Sequence, residues 1–168
     1  MHAHDRGGSA GPVAPDMGEL AVLVRALMGA DARRAVVVPL GGGLFDVVVS
    51  AAGEAGHAVA DAIDVRHPQG CGPVIADPER PWLYWLVPPG TTGRWAEHPY
   101  AVCVGAPATI ALPPLDRRGP GAGPYWLRPC RSGCLVGPVT LRQALEVHRP
   151  LPAPHQAVGH LLLGPWAS

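Results

Sequence analysis

The sequence predicts an α+β domain, a mixed and largely antiparallel sheet backed by helices. Three observations predict it. Short apolar, β-branched runs recur along the chain, as in Ala35–Leu40, Leu44–Ser50 and Trp82–Val87. Apolar residues at helical spacing occupy separate stretches, among them Gly53–Val65 and Thr140–His148. Strands and helices do not alternate regularly, as a doubly wound parallel sheet requires. An α/β sandwich with parallel strands, or one half of a larger unit, are the alternatives.

Residues 1–15 are rich in Gly, Pro and His and read as a disordered tail. Asp16 is a good N-cap, and Glu19 three residues later completes a capping-box-like pair. Leu20, Leu23, Val24 and Leu27 then form one apolar stripe, which predicts a helix over Asp16–Gly29. Ala35–Leu40 is a strand, with Pro39 placing its end at a sheet edge. Gly41–Gly43 is a flexible turn. Leu44–Ser50 is apolar apart from Asp46 and Ser50, which predicts a central strand buried on both faces. A helix over Gly53–Val65 follows, then a short strand over Pro73–Ala76. Trp82–Val87 is the most aromatic stretch and a strong strand. Tyr100–Val104 and Thr109–Leu112 read as a pair of short strands around Gly105-Ala106-Pro107. Asp116–Pro124 is a loop, and Tyr125–Leu127 is extended. Thr140 and Gln143 mark a capping box opening a helix that runs to about His148. Residues 16–150 thus make the domain, and 151–168 a Pro-rich tail with room for one more helical turn, at Leu161–Leu163.

Composition narrows the function classes. The chain has 168 residues, enough for one domain, and only 15% are charged. Thirteen basic residues, all arginine, balance thirteen acids, which excludes a globally basic nucleic-acid binder but not a local patch. No secretory signal opens the sequence and no apolar run reaches membrane-spanning length, so a cytoplasmic protein without membrane attachment is expected. Cys71, Cys103, Cys130 and Cys134 are then expected as free thiols. The Cys130–Cys134 spacing suits a zinc loop, yet no second ligand pair stands near it in sequence. The glycines at 41–43 lack the Lys-Ser/Thr of a phosphate loop, and neither His-Glu-x-x-His nor Gly-x-Ser-x-Gly occurs.

The succession Leu44-Phe45-Asp46-Val47-Val48, Gly72-Pro73-Val74, Trp82 to Gly90, Gly105, Pro113-Pro114 and Trp126-Leu127-Arg128-Pro129 resembles the bifunctional DNA primase–polymerase domain. This is the archaeo-eukaryotic primase type, as found in short proteins of high-GC Gram-positive bacteria. The resemblance runs from about Ala35 to Pro150 and covers the catalytic half of the usual domain. It implies a two-metal nucleotidyl transfer, which needs converging carboxylates. The family supplies an Asp-x-Asp on one strand, a His on a later strand and a third carboxylate before the Pro-Pro. Here Asp46 matches the first acid, whereas Val48, Trp82 and the neighbourhood of Val102 stand at the other positions. The resemblance therefore implies a degenerate, non-catalytic copy that needs no cofactor, with Mg²⁺ or Mn²⁺ required only if activity survives.

The candidate residues follow. Asp46 is the residual catalytic acid, or else an acid hydrogen-bonded to a turn. Arg117, Arg118, Arg128 and Arg131, with Trp126 as a stacking surface, are the candidate nucleic-acid patch, and single-stranded DNA or a protein is the expected partner. An active nucleotidyltransferase would have to recruit Asp61, Asp64 or Asp77. A small interaction module would instead dock a partner on an aromatic face carrying Trp82 and Trp85.

Overall fold

The structure, a computed structural model, describes residues 35–67, 70–121, 123–129 and 135–163. The helix expected at Asp16–Gly29, together with Cys130, Arg131 and Cys134, lies outside them. In chain order the elements are β1 (Val36–Pro39), β2 (Asp46–Ala51), α1 (Gly53–Arg66), β3 (Val74–Asp77), β4 (Trp82–Val87), β5 (Ala101–Val104), β6 (Thr109–Leu112), β7 (Tyr125–Arg128), α2 (Pro138–His148) and α3 (Gln156–Leu163). A short 3₁₀ turn, Thr91–Gly93, lies between β4 and β5.

Five strands form one antiparallel sheet in the order β5-β2-β4-β3-β7. The expected α+β architecture is therefore present. β2 and β4 are neighbours over their full length, from Asp46 opposite Val87 to Ala51 opposite Trp82, and every residue of both is buried. Burial on two faces explains why both segments read as nearly continuous apolar runs, broken in β2 only by Asp46 and Ser50.

Alternation along these strands feeds two cores. Val48, Leu83, Trp85 and Val87 face α1 and α2, where they meet Val59, Ile63, Leu141 and Leu145. Val47, Val49, Tyr84 and Leu86 face the other way, onto Val38, Ile110, Leu112 and Leu161. Three layers result: the α1–α2 pair, the five-stranded sheet, and a third layer of β1, β6 and α3.

Three expectations are corrected. β5 and β6 are not partners: β5 borders β2, while β6 pairs with β1 in a separate two-stranded sheet. The chain turns between them, where the Ala108 N–H donates to Gly105 O, and β6 then places Ile110 and Leu112 in the third layer. α2 starts at Pro138 with Gly137 as N-cap, so Thr140 lies inside the first turn and its side chain caps nothing. Proline suits a first helical position because its missing N–H has no acceptor there in any case. Finally, the segment after Pro150 is more than a tail. α3 has two turns, and Ala153, Ala157 and Leu161 are buried in the core.

Candidate functional site

Asp46 opens β2 and is 2% exposed. One carboxylate oxygen, Oδ2, accepts from the Thr92 backbone N–H at 2.9 Å and from the Thr92 hydroxyl at 2.8 Å. The acid thereby fastens the 3₁₀ turn to the sheet and gains the partners that a buried carboxylate needs. Gly105 makes the approach possible: a Cβ there would stand 2.6 Å from Thr92 Oγ1 and 3.1 Å from Asp46 Oδ1. Val48 shares the strand face of Asp46 and lies opposite Cys103 and Trp85. Val102 and Trp82, at the other positions the resemblance assigns to ligands, belong to the opposite core. Among the described residues no three His, Cys, Asp or Glu side chains are grouped to hold a metal ion. The described residues around Asp46 therefore do not fit a two-metal centre.

Nor do the other candidate acids, Asp61, Asp64 and Asp77, gather at Asp46. Asp61 and Asp64, one turn apart on α1, both bind Arg128, which donates from Nη2 to Asp61 at 2.5 Å and from Nε to Asp64 at 2.7 Å. Asp64 also accepts the Cys71 N–H. Asp77 accepts from the Glu79 N–H and from the Tyr84 hydroxyl. The Asp61/Asp64 pair is thus a clamp that ties β7 to α1.

The expected nucleic-acid patch divides. Arg117 and Arg118 are exposed on the loop before β7. Arg128 is committed to the clamp. Trp126 is 1% exposed, and its indole N–H donates to Pro113 O at 2.9 Å. A stacking role for Trp126 is corrected on that ground, since both faces of the ring are inside the core. The aromatic docking face is corrected likewise: Trp82 is 7% exposed and Trp85 fully buried, with its N–H donated to Ser50 Oγ.

Sequence reasoning missed a cleft of about 270 Å³ beside the 3₁₀ turn. The β4–β5 connection supplies Pro88, Pro89, Arg94 and Trp95, and the first turns of α2 supply Val139 and Arg142. The Arg142 guanidinium lies over the Trp95 ring, 4.6 Å from its centroid, and donates to Ala96 O at 2.8 Å. The Trp95 Nε1 is buried and has no acceptor among the described residues. Behind Trp95 sits His98, whose Nδ1 accepts the Tyr100 N–H and whose Nε2 is 3.5 Å from Glu146. Burial, and secondarily Arg142, holds His98 below its ordinary pKa, against the opposing pull of Glu146. Residues 94 and 142 are too far apart in sequence for any spacing rule to join them.

A smaller cavity of about 80 Å³ is lined by Asp77, Tyr84, Thr109 and His160, among others. Burial and the neighbouring Asp77 push the Tyr84 phenol up, while burial and Arg80 hold His160 down. Both groups are therefore neutral near pH 7, and the cavity has room for roughly two or three waters.

No protein family, curated protein or solved structure matches this chain.

Proposed function

We propose that the chain is a non-catalytic binding protein, a degenerate primase–polymerase-like domain that acts through a macromolecular partner. The observation that carries this reading is the state of Asp46, whose Oδ2 is taken by Thr92 and whose strand face continues into Val48 beside Cys103. Two-metal chemistry needs several carboxylates around one point. The other acids considered for it hold Arg128 or the turn after β3 instead.

A protein is the better-supported partner. The helical layer carries Val65, Val139 and Val147 at 87%, 68% and 71% exposure. Val37, Leu162 and Leu163 are exposed on the third layer as well, and apolar side chains left open on both layers favour protein contact over nucleic acid. Single-stranded nucleic acid is the second reading, favoured by the exposed pair Arg117 and Arg118.

The test is a primer-synthesis and extension assay with Mg²⁺ or Mn²⁺, run beside a single-strand DNA titration on the same preparation. The expected result is no incorporation of nucleotide with either ion. Incorporation that disappears in Asp46→Asn would overturn the non-catalytic reading. Single-strand binding that is abolished in Arg117→Ser/Arg118→Ser would favour the second partner over the first.

A further inference from the structure

The cleft between the β4–β5 connection and α2 has an uneven chemistry. Its walls are apolar, from Pro88, Pro89, Trp95 and Val139, and its charged groups are two guanidinium ions, Arg94 and Arg142. Among the described residues neither arginine forms a salt bridge. Arg142 is already oriented by the Trp95 ring and the Ala96 carbonyl, so less freedom is lost when its remaining N–H groups bind an anion.

We propose that this cleft binds a small organic acid, an apolar body of about benzoate to phenylpropionate size carrying one carboxylate. Volume selects the size: about 270 Å³ corresponds to roughly nine water volumes. That lies just under the ~300–1,000 Å³ of typical ligand pockets. Wall chemistry selects the body, because proline rings and an indole favour a flat apolar group over a sugar or a polar chain. The arginines select the charge, and a carboxylate matches the guanidinium fork. This site goes beyond the macromolecular role proposed above and does not depend on it.

The experiment is a calorimetric titration of the whole chain with 3-phenylpropionate, its neutral amide, and inorganic phosphate. The proposal expects saturable binding of 3-phenylpropionate, at least tenfold weaker binding of the amide, and no comparable binding of phosphate. Arg94→Gln alters an exposed side chain and should weaken 3-phenylpropionate at least fivefold with the melting temperature unchanged. Val139→Trp, also at an exposed position, should fill the cleft and abolish binding while the circular dichroism spectrum is kept. Absence of 3-phenylpropionate binding, equal binding of the amide, equal binding of phosphate, or binding indifferent to both substitutions would each overturn the proposal. Because the readout involves neither DNA nor a protein partner, its failure leaves the proposed macromolecular role standing.

Discussion

At the scale of single residues, the chain shows how the same side chain can suit a site in sequence and a scaffold in space. Trp126 sits among arginines in the sequence, where a stacking platform is a fair expectation. The fold instead puts it at 1% exposure with its N–H on Pro113 O. Trp126→Ala should then cost about 3–5 kcal/mol of stability, the usual loss for a buried aromatic. Urea unfolding measures it, and a change below 1 kcal/mol would contradict the burial. Asp46 makes a parallel case. Asp46→Ala strands the Thr92 N–H and hydroxyl and should cost about 1–3 kcal/mol. Gly105→Ala should also destabilise, since its new methyl pushes Thr92 off the carboxylate. If Asp46→Ala left stability untouched, the acid would not be serving as the fastener of that turn. The two cysteines among the described residues, Cys71 and Cys103, give a chemical check. Burial pushes Cys71 up to about 12 and Cys103 up to about 11, so both should alkylate slowly at pH 8 in the folded protein and rapidly in urea.

At the scale of elements, α2 and the loop before β5 are joined through His98. Its pKa in the folded protein is below the ordinary 6.5, chiefly through burial. As pH falls below about 6.5 the unfolded chain takes up this proton first. Stability is therefore full above that pH and is lost as pH falls toward the folded value. His160, also held low, acts in the same direction. Melting temperatures between pH 5 and 7.5 should rise with pH, and His98→Asn should flatten part of that slope. Most strand and helix positions were legible in the sequence, because β2, β4 and α1 owe their patterns to burial that periodicity reports directly. The pairing of β6 with β1 was not, since register across some seventy residues leaves no local mark. α3 was legible only as a turn at Leu161–Leu163, because the prolines that precede it and Gly159 within it obscure the stripe that Ala157 and Leu161 bury. Of the site, the hydrogen bonding of Asp46 to a turn was legible as one of its two readings. The Arg128 clamp and the Trp95 cleft were not, because each joins residues that only the fold brings together.

At the scale of the whole molecule, α3 completes the third layer over the core that β2 and β4 share. A chain ending at Pro150 should expose that core and unfold at a clearly lower temperature, or populate a state that binds a hydrophobic dye. Identical melting of the shortened chain would show that α3 only decorates the surface.

The two-stranded sheet has a consequence for the order of events during synthesis. β1 ends at Pro39, and its strand partner among the described residues begins at Thr109. A ribosome adding about 5–20 residues per second needs roughly 4–14 s to make the intervening seventy residues. Throughout that interval the Val36–Pro39 ribbon lacks the β6 groups with which its N–H and C=O groups pair. The nascent protein is thus most vulnerable to mispairing before β6 appears.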